Sequence, residues 1–156
     1  MTRDERTSSG CVFCEVDTPE AQALTVHTGR TCFVILNLYP YNGGHVMVVP
    51  KRHVATLATL ADEELVEMAR LTRLTQMALD EVYRPQGMNI GVNLGRPAGA
   101  GIVDHVHVHL VPRWTGDTNF MPVVGNVRVL PETLEATAAR LRPVLARLTG
   151  EGMGIS

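Results

Sequence analysis

Three of the chain's six histidines stand at alternate positions in His105-Val106-His107-Val108-His109. Side chains of an extended strand alternate between its faces. The spacing therefore puts the imidazoles on one side, roughly 6.5–7 Å apart, and turns Val106, Val108 and Leu110 to the other. Imidazole is partly neutral near pH 7, so it can attack phosphorus without first losing a proton. The phosphorus–nitrogen adduct then splits one difficult displacement into two easier ones. The attacking ring needs its second nitrogen held by a backbone carbonyl or a neighbour. Flanking histidines can protonate a leaving group or hydrogen-bond phosphate oxygens. A polar outer face and a metal site made of all three histidines are the competing readings. Solvent faces ordinarily carry Lys, Glu and Thr, which favours chemistry at phosphorus.

A second group is Cys11-Val-Phe-Cys14. A Cys-x-x-Cys pair can chelate one metal ion, but it supplies only half of a tetrahedral zinc site. Two reduced thiols without a role, or a redox pair, are the alternatives; no helix signal follows Cys14, as a thioredoxin-like pair would require. With Cys32 the cysteine count is odd, which argues against a disulfide framework. Cys32, beside Phe33 and Ile35, reads as a small buried hydrophobe. His27 reads as a surface or hairpin residue. Lys51 and Arg52 read as a solvated basic pair, and Trp114 either stacks on a base or packs at an interface between subunits.

These residues need elements to place them. Residues 22–28 and 31–37 read as two strands joined by a tight turn at Gly29-Arg30, and His45–Pro50 as a third. Leu38–Gly44 between them is turn chemistry. Leu65, Met68, Leu71, Leu74, Ala78 and Val82 recur at helical spacing, which predicts a helix over 62–83. Asp62, Glu63 and Glu64 suit its first turn. Met88–Leu94 is expected to be a fourth strand, Gly95–Gly101 a glycine-rich loop, and Asp104–Pro112 a fifth strand. Pro131-Glu132 is expected to open a C-terminal helix that Pro143 kinks or divides. Hairpin strands with two helices predict an α+β domain with an antiparallel sheet.

The 156 residues suit one domain, expected over 11–150, with tails at 1–10 and 151–156. Apolar residues make up 45% and charged residues 19%, with a net charge of −2. No basic excess points to nucleic acid. No segment reads as a membrane span or a signal peptide, so a cytoplasmic location is expected.

His105-Val-His-Val-His-Leu-Val-Pro-Arg113, Asn37…Gly44-His-Val-Met-Val-Val-Pro50 and Asn93-Leu-Gly95 together resemble the histidine triad (HIT) superfamily of nucleotide hydrolases and transferases, over roughly residues 11–130. That resemblance implies a five-stranded antiparallel sheet with one long and one C-terminal helix, dimerising into a ten-stranded sheet, as a homodimer or a tetramer. It implies His107 as the nucleophile, His109 as the residue on phosphate oxygens and the leaving group, and His45 as a brace. Asn37 would contact ribose. Asn93, Gly99, Ala100 and Gly101 would belong to the phosphate loop, where amide N–H groups can cradle anions. It also completes a Cys₂His₂ zinc site from Cys11, Cys14, His53 and His105.

Arg113-Trp-Thr-Gly-Asp-Thr-Asn-Phe-Met-Pro122 and Leu36-Asn-Leu-Tyr-Pro-Tyr-Asn42 look like the diadenosine tetraphosphate phosphorylase (ATP adenylyltransferase) branch. The loop before the triad lacks the glutamine of the hydrolases, which fits inorganic phosphate rather than water as acceptor; Gly101 stands where phosphorylases tend to carry a hydroxyl residue. The expected reaction is phosphorolysis of diadenosine tetraphosphate to ADP and ATP through an adenylyl-histidine, with magnesium accompanying the nucleotide. A HIT hydrolase of dinucleoside polyphosphates or nucleoside phosphoramidates, releasing AMP, is the alternative. A non-catalytic nucleotide- or zinc-binding module is the other.

Overall fold

Cys32–Leu36 (β2) and Val46–Pro50 (β3) are buried at every position, so both faces of these strands must be covered. The structure is a computed structural model describing residues 10–38, 40, 42–100, 104–117 and 132–150. With Thr25–Thr28 (β1), Gly87–Val92 (β4) and Val108–Arg113 (β5), the two strands form an antiparallel sheet of order β1-β2-β3-β5-β4. Period-two alternation sorts the apolar side chains into two clusters. Val34, Leu36, Val46, Val48, Val108 and Leu110 pack with Met68, Leu71 and Leu79 of the helix Asp62–Tyr83 (α2), and with Ala138, Leu141 and Leu145 of the helix Leu134–Thr149 (α3). On the other side Phe33, Ile35, Met47 and Val49 pack against Phe13, with Cys11, Val16 and Leu24 at the margin.

The helix read at 62–83 has those bounds. Glu64 Oε1 accepts the Ala61 N–H at 2.8 Å at its start, and Arg84 ends it in the left-handed region at φ 48°. Several limits differ from expectation. Residues 22–24 are helical, not extended: Pro19–Leu24 (α1) is capped by Thr18, whose Oγ1 accepts the Ala21 N–H at 3.2 Å. A Thr cap followed by proline is a start signal that the apolar run behind it obscures. Arg142 of α3 closes the other end of α1, with Nη2 donating to the carbonyls of Gln22, Ala23 and Thr25 at 3.2, 2.9 and 3.0 Å. α3 starts at Leu134 on a Thr133 cap and runs through Pro143 undivided. The cost of an interior proline, about 3 kcal/mol, is met by the burial of Leu141 and Leu145 on either side. Pro131 lies outside the described residues.

The β1–β2 turn is held by α2. Glu67 Oε1 accepts the N–H groups of Thr31 and Cys32, each at 2.6 Å, and Oε2 accepts that of Arg30 at 3.1 Å. A Cβ at Gly29 would stand 2.8 Å from Glu67 Oε1, so a side chain there displaces this carboxylate. Of the two places expected for His27 it takes the hairpin: it lies on β1, buried rather than at the surface, beside an irregularity that shifts the β1–β2 register between Thr25 and His27. Arg52 is not merely solvated: it makes a two-pronged ion pair with the buried Glu64 and donates to the Thr59 carbonyl. Cys32 is fully buried, as its apolar setting predicted. Among the described residues no helix is long and apolar enough to cross a membrane.

Candidate functional site

The β3–β5 ladder runs from Val46↔Leu110 through Met47↔His109 to Val48↔Val108 and stops there. β5 therefore starts at Val108, not at Asp104, and of the triad only His109 lies within it. β3 ends at Pro50, which has no N–H to extend a ladder, and Val106 donates instead to the Val54 carbonyl at 2.8 Å. The alternation still holds, with Val106, Val108 and Leu110 in the helix-covered core. The three histidines are divided between two adjoining groups.

His105 belongs to the first. It is fully buried, and its Nε2–H donates to the Pro50 carbonyl at 2.7 Å. A carbonyl only accepts, so this bond leaves Nδ1 with its lone pair. That nitrogen lies 3.4 Å from Cys11 Sγ, 3.6 Å from Cys14 Sγ and 3.3 Å from His53 Nδ1, and Cys14 Sγ lies 3.2 Å from His53 Nδ1. The ligand atoms of Cys11, Cys14, His53 and His105 all fall within 4.8 Å of one another. Tetrahedral zinc with thiolate and imidazole ligands separates its donors by about 3.3–3.8 Å. The donor set, its spacing and the carbonyl that orients His105 fit such an ion. Burial, and then the neighbouring Cys11, push the Cys14 thiol up to about 11; a bound dication reverses that balance.

His107 and His109 belong to the second group. The Nδ1–H of His107 donates to the His105 carbonyl at 2.9 Å, which leaves Nε2 as the nitrogen with a lone pair. The His107 ring packs against Phe13 at 4.9 Å and against His109 at 4.6 Å. His109 Nδ1 lies 3.0 Å from His45 Nε2, which is 3.4 Å from Asn37 Nδ2. The Asn37 N–H donates to the His45 carbonyl at 3.1 Å, joining the ends of β2 and β3 behind the site. Burial, and then repulsion from the other imidazoles, pushes His45 and His109 down to about 4. Burial also lowers His107, against the opposing effect of the His105 carbonyl. These shifts favour the neutral forms of His45, His107 and His109 near pH 7. An arriving polyanion raises the affinity of His109 for a proton.

These side chains edge a cavity of about 790 Å³, lined by His107, His109, Asn37, Asn93 and Gly99 together with a largely apolar wall that includes Phe13, Ala21, Leu24 and Ile35. That size suits a nucleotide. His45 stands behind His109 rather than in the lining. The glycine-rich loop differs from expectation. The N–H groups of Ala98, Gly99 and Ala100 donate to the carbonyls of Gly95, Arg96 and Gly95 at 3.2, 2.9 and 3.2 Å. Over these residues the expected amide cradle is closed on the loop itself, and Ala100 is buried. Gly101 lies outside the described residues.

Sequence reasoning did not single out Phe13 or α1 as parts of the wall. It also missed Asp117, whose carboxylate takes Arg113 from both sides at 2.8 and 2.9 Å, the Trp114 N–H at 2.9 Å and Asn42 Nδ2 at 2.7 Å. These bonds hold its carboxyl well below the usual range and tie the turn before His45 to the end of β5. The Arg113/Asp117 spacing was the available signal.

The HIT domain family model matches residues 18–116. Over 128 residues the chain is 43% identical to a Mycobacterium tuberculosis protein named AP-4-A phosphorylase, covering 82% of this chain and 66% of that protein. It thus spans slightly under two thirds of that relative's length. A Zn-bound histidine triad family protein from Mycobacterium smegmatis superposes with a TM-score of 0.72 at 30% identity, covering 92% of this chain and 98% of the other. A hypothetical histidine triad nucleotide-binding protein from Sulfolobus tokodaii does so at 0.72 and 26% identity, covering 89% and 94%.

Proposed function

The chain belongs to the histidine triad (HIT) family, and from that premise we propose that it transfers an adenylyl group through a covalent intermediate on His107, with diadenosine tetraphosphate as donor and inorganic phosphate as acceptor. The bond from His107 Nδ1–H to the His105 carbonyl carries the reading, because it reserves Nε2 for attack. Nε2 attacks the phosphorus of one adenylyl group, the phosphorus–oxygen bond to the bridging oxygen breaks, and ATP leaves. His109, charged when the polyphosphate is bound, donates to the departing oxygen. Phosphate oxygen then attacks the adenylyl–imidazole, the phosphorus–nitrogen bond breaks, and ADP leaves with His107 restored.

The base end of the substrate occupies the apolar wall. Asn37 and Asn93 serve ribose and phosphate, the amides of Gly99 and Ala100 open from the loop on binding, and Gly101 belongs to the same phosphate loop. His45 braces His109. The 43% identity to a protein named AP-4-A phosphorylase supports this substrate and acceptor.

Cys11, Cys14, His53 and His105 hold one structural zinc, which fixes the N-terminal segment to the triad. The zinc-bound relative from Mycobacterium smegmatis supports this, and a reducing compartment such as the cytoplasm keeps the thiols available. The catalytic domain spans 11–150. Two copies join through the edge strand β4, where Ile90 is 44% exposed.

Incubation of the protein with diadenosine tetraphosphate, with and without phosphate, tests the reaction. ADP and ATP formed only with phosphate are expected. AMP with ATP in the absence of phosphate makes the acceptor water. No turnover, or turnover that survives His107→Ala, sinks the reading.

A further inference from the structure

We propose that Phe13 is a positioning residue that ties the order of the cysteine–histidine cluster to the orientation of the His107 ring. The inference rests on the reading of His107 as nucleophile and of the cluster as a metal centre. Phe13 lies between Cys11 and Cys14 in sequence, so an ion that gathers the two sulfurs fixes the backbone on both sides of it. Its side chain is 2% exposed. The ring stands edge-on to His105, with centroids 5.4 Å apart and planes at 74°, and tilted against His107 at 4.9 Å and 58°. One ring therefore touches a residue of the cluster and the nucleophile at once, while resting on Phe33, Ile35, Met47 and Val49.

The hydrogen bond at Nδ1 selects the tautomer of His107 but leaves the imidazole free to rock about the N–H···O line. Phe13 and His109 are the rings packed against it, and they limit that motion. Phe13 has no polar atom and cannot take part in proton or phosphoryl transfer. Its contribution is geometric: it keeps Nε2 in line with phosphorus. Misplacement of a reacting atom by about 1 Å costs about a hundredfold in rate. When the cluster loses its ion, the Cys11–Cys14 segment loses its anchor and Phe13 is free to retreat from His107.

The test uses full-length zinc-loaded protein and Phe13→Leu, which keeps an apolar wall. Zinc content should be unchanged. The single-turnover rate of His107 adenylylation should fall about 10- to 100-fold, with KM moving much less. In ¹⁵N-labelled protein, the His107 Nδ1–H signal should keep its tautomer but broaden and exchange faster with water, as the ring rocks against the His105 carbonyl. Stripping zinc from the wild type should produce the same spectral change, and stripping it from Phe13→Leu should add nothing further, because the two perturbations act through one contact. A raised KM at unchanged kcat would show Phe13 to be wall alone and overturn the proposal. So would His107 signals indifferent to zinc or to Phe13→Leu. If Phe13→Leu misfolds, Phe13→Met with the same readouts decides. A wild type that binds zinc but does not turn over refutes the function proposed above, while its His107 signals still decide the coupling.

Discussion

His109 Nδ1 and His45 Nε2 lie 3.0 Å apart inside the protein, so this pair accommodates one proton between its facing nitrogens and resists a second. The same interior holds His107 and His105 below their ordinary proton affinity, burial being the main cause in each.

Acid should destabilise the fold through these imidazoles. His45 and His109 have a pKa of about 4 in the fold against 6.5 when free. As pH falls below 6.5 the unfolded chain takes up protons before the folded one does, so stability is full above that value and is lost down to about 4. Thermal melts should show Tm falling through this window. His45→Gln, which removes one of the pair, should make the slope shallower. An equal slope in the variant would mean that these imidazoles do not set acid sensitivity.

Adenylylation should have an acid limb below pH 6.5, because neutral His107 is the attacking form and its proton affinity is reduced. A rate that halves at pH 7 or above in single-turnover assays contradicts the buried, neutral nucleophile.

Cys14→Ser removes a thiolate from the cluster. Bound zinc, measured by elemental analysis, should fall from one per chain to a small fraction, and Tm should drop by about 5–15 °C. Retention of full zinc content would exclude Cys14 as a ligand.

Glu67→Ala strips the carboxylate from the N–H groups of Arg30, Thr31 and Cys32. The expected cost is about 1–3 kcal/mol, seen as a Tm lowered by about 2–10 °C. Nucleotide affinity should be untouched in the protein that remains folded, and a selective loss of activity without a stability change would be unexpected.

Arg142→Ala uncaps α1, a six-residue helix that carries Ala21 and Leu24 of the cavity wall. Loss of this anchor, worth about 1 kcal/mol, should raise KM about fivefold with kcat unchanged. Arg142→Lys should restore little, because a single ammonium cannot reach carbonyls that the planar fork reaches together. A change in kcat alone would mean that α1 acts on the chemistry rather than on binding.

What could be read in advance follows from the range of the interactions. The bounds of α2 were legible because its apolar residues repeat locally, and β2 and β3 were legible as continuous apolar runs. The triad pattern pointed to the segment whose His107 and His109 edge the cavity. Contacts between distant residues were not legible from spacing: Cys11 meets His105 across 94 positions and Arg142 meets Thr25 across 117. The ligand set of the cluster came from family resemblance, not from any periodicity. The end of α1, residues 22–24, reads as extended because those residues suit either state, although Thr18-Pro19 before them caps a helix. The loop at 95–100 was expected to offer its amides outward, and only the folded chain shows where those N–H groups go.

The alternation of valine and histidine from His105 to Leu110 carries a further consequence. Deleting or inserting one residue here would exchange every side chain between the helix-covered core and the opposite face, seating imidazoles among leucines and valines at the cavity. Single replacements in this stretch are graded insults; a shift of frame is total. Over evolutionary time the segment should drift in composition at its valines while its length stays invariant, and a designer grafting the site elsewhere would have to carry it across as one uncut cassette.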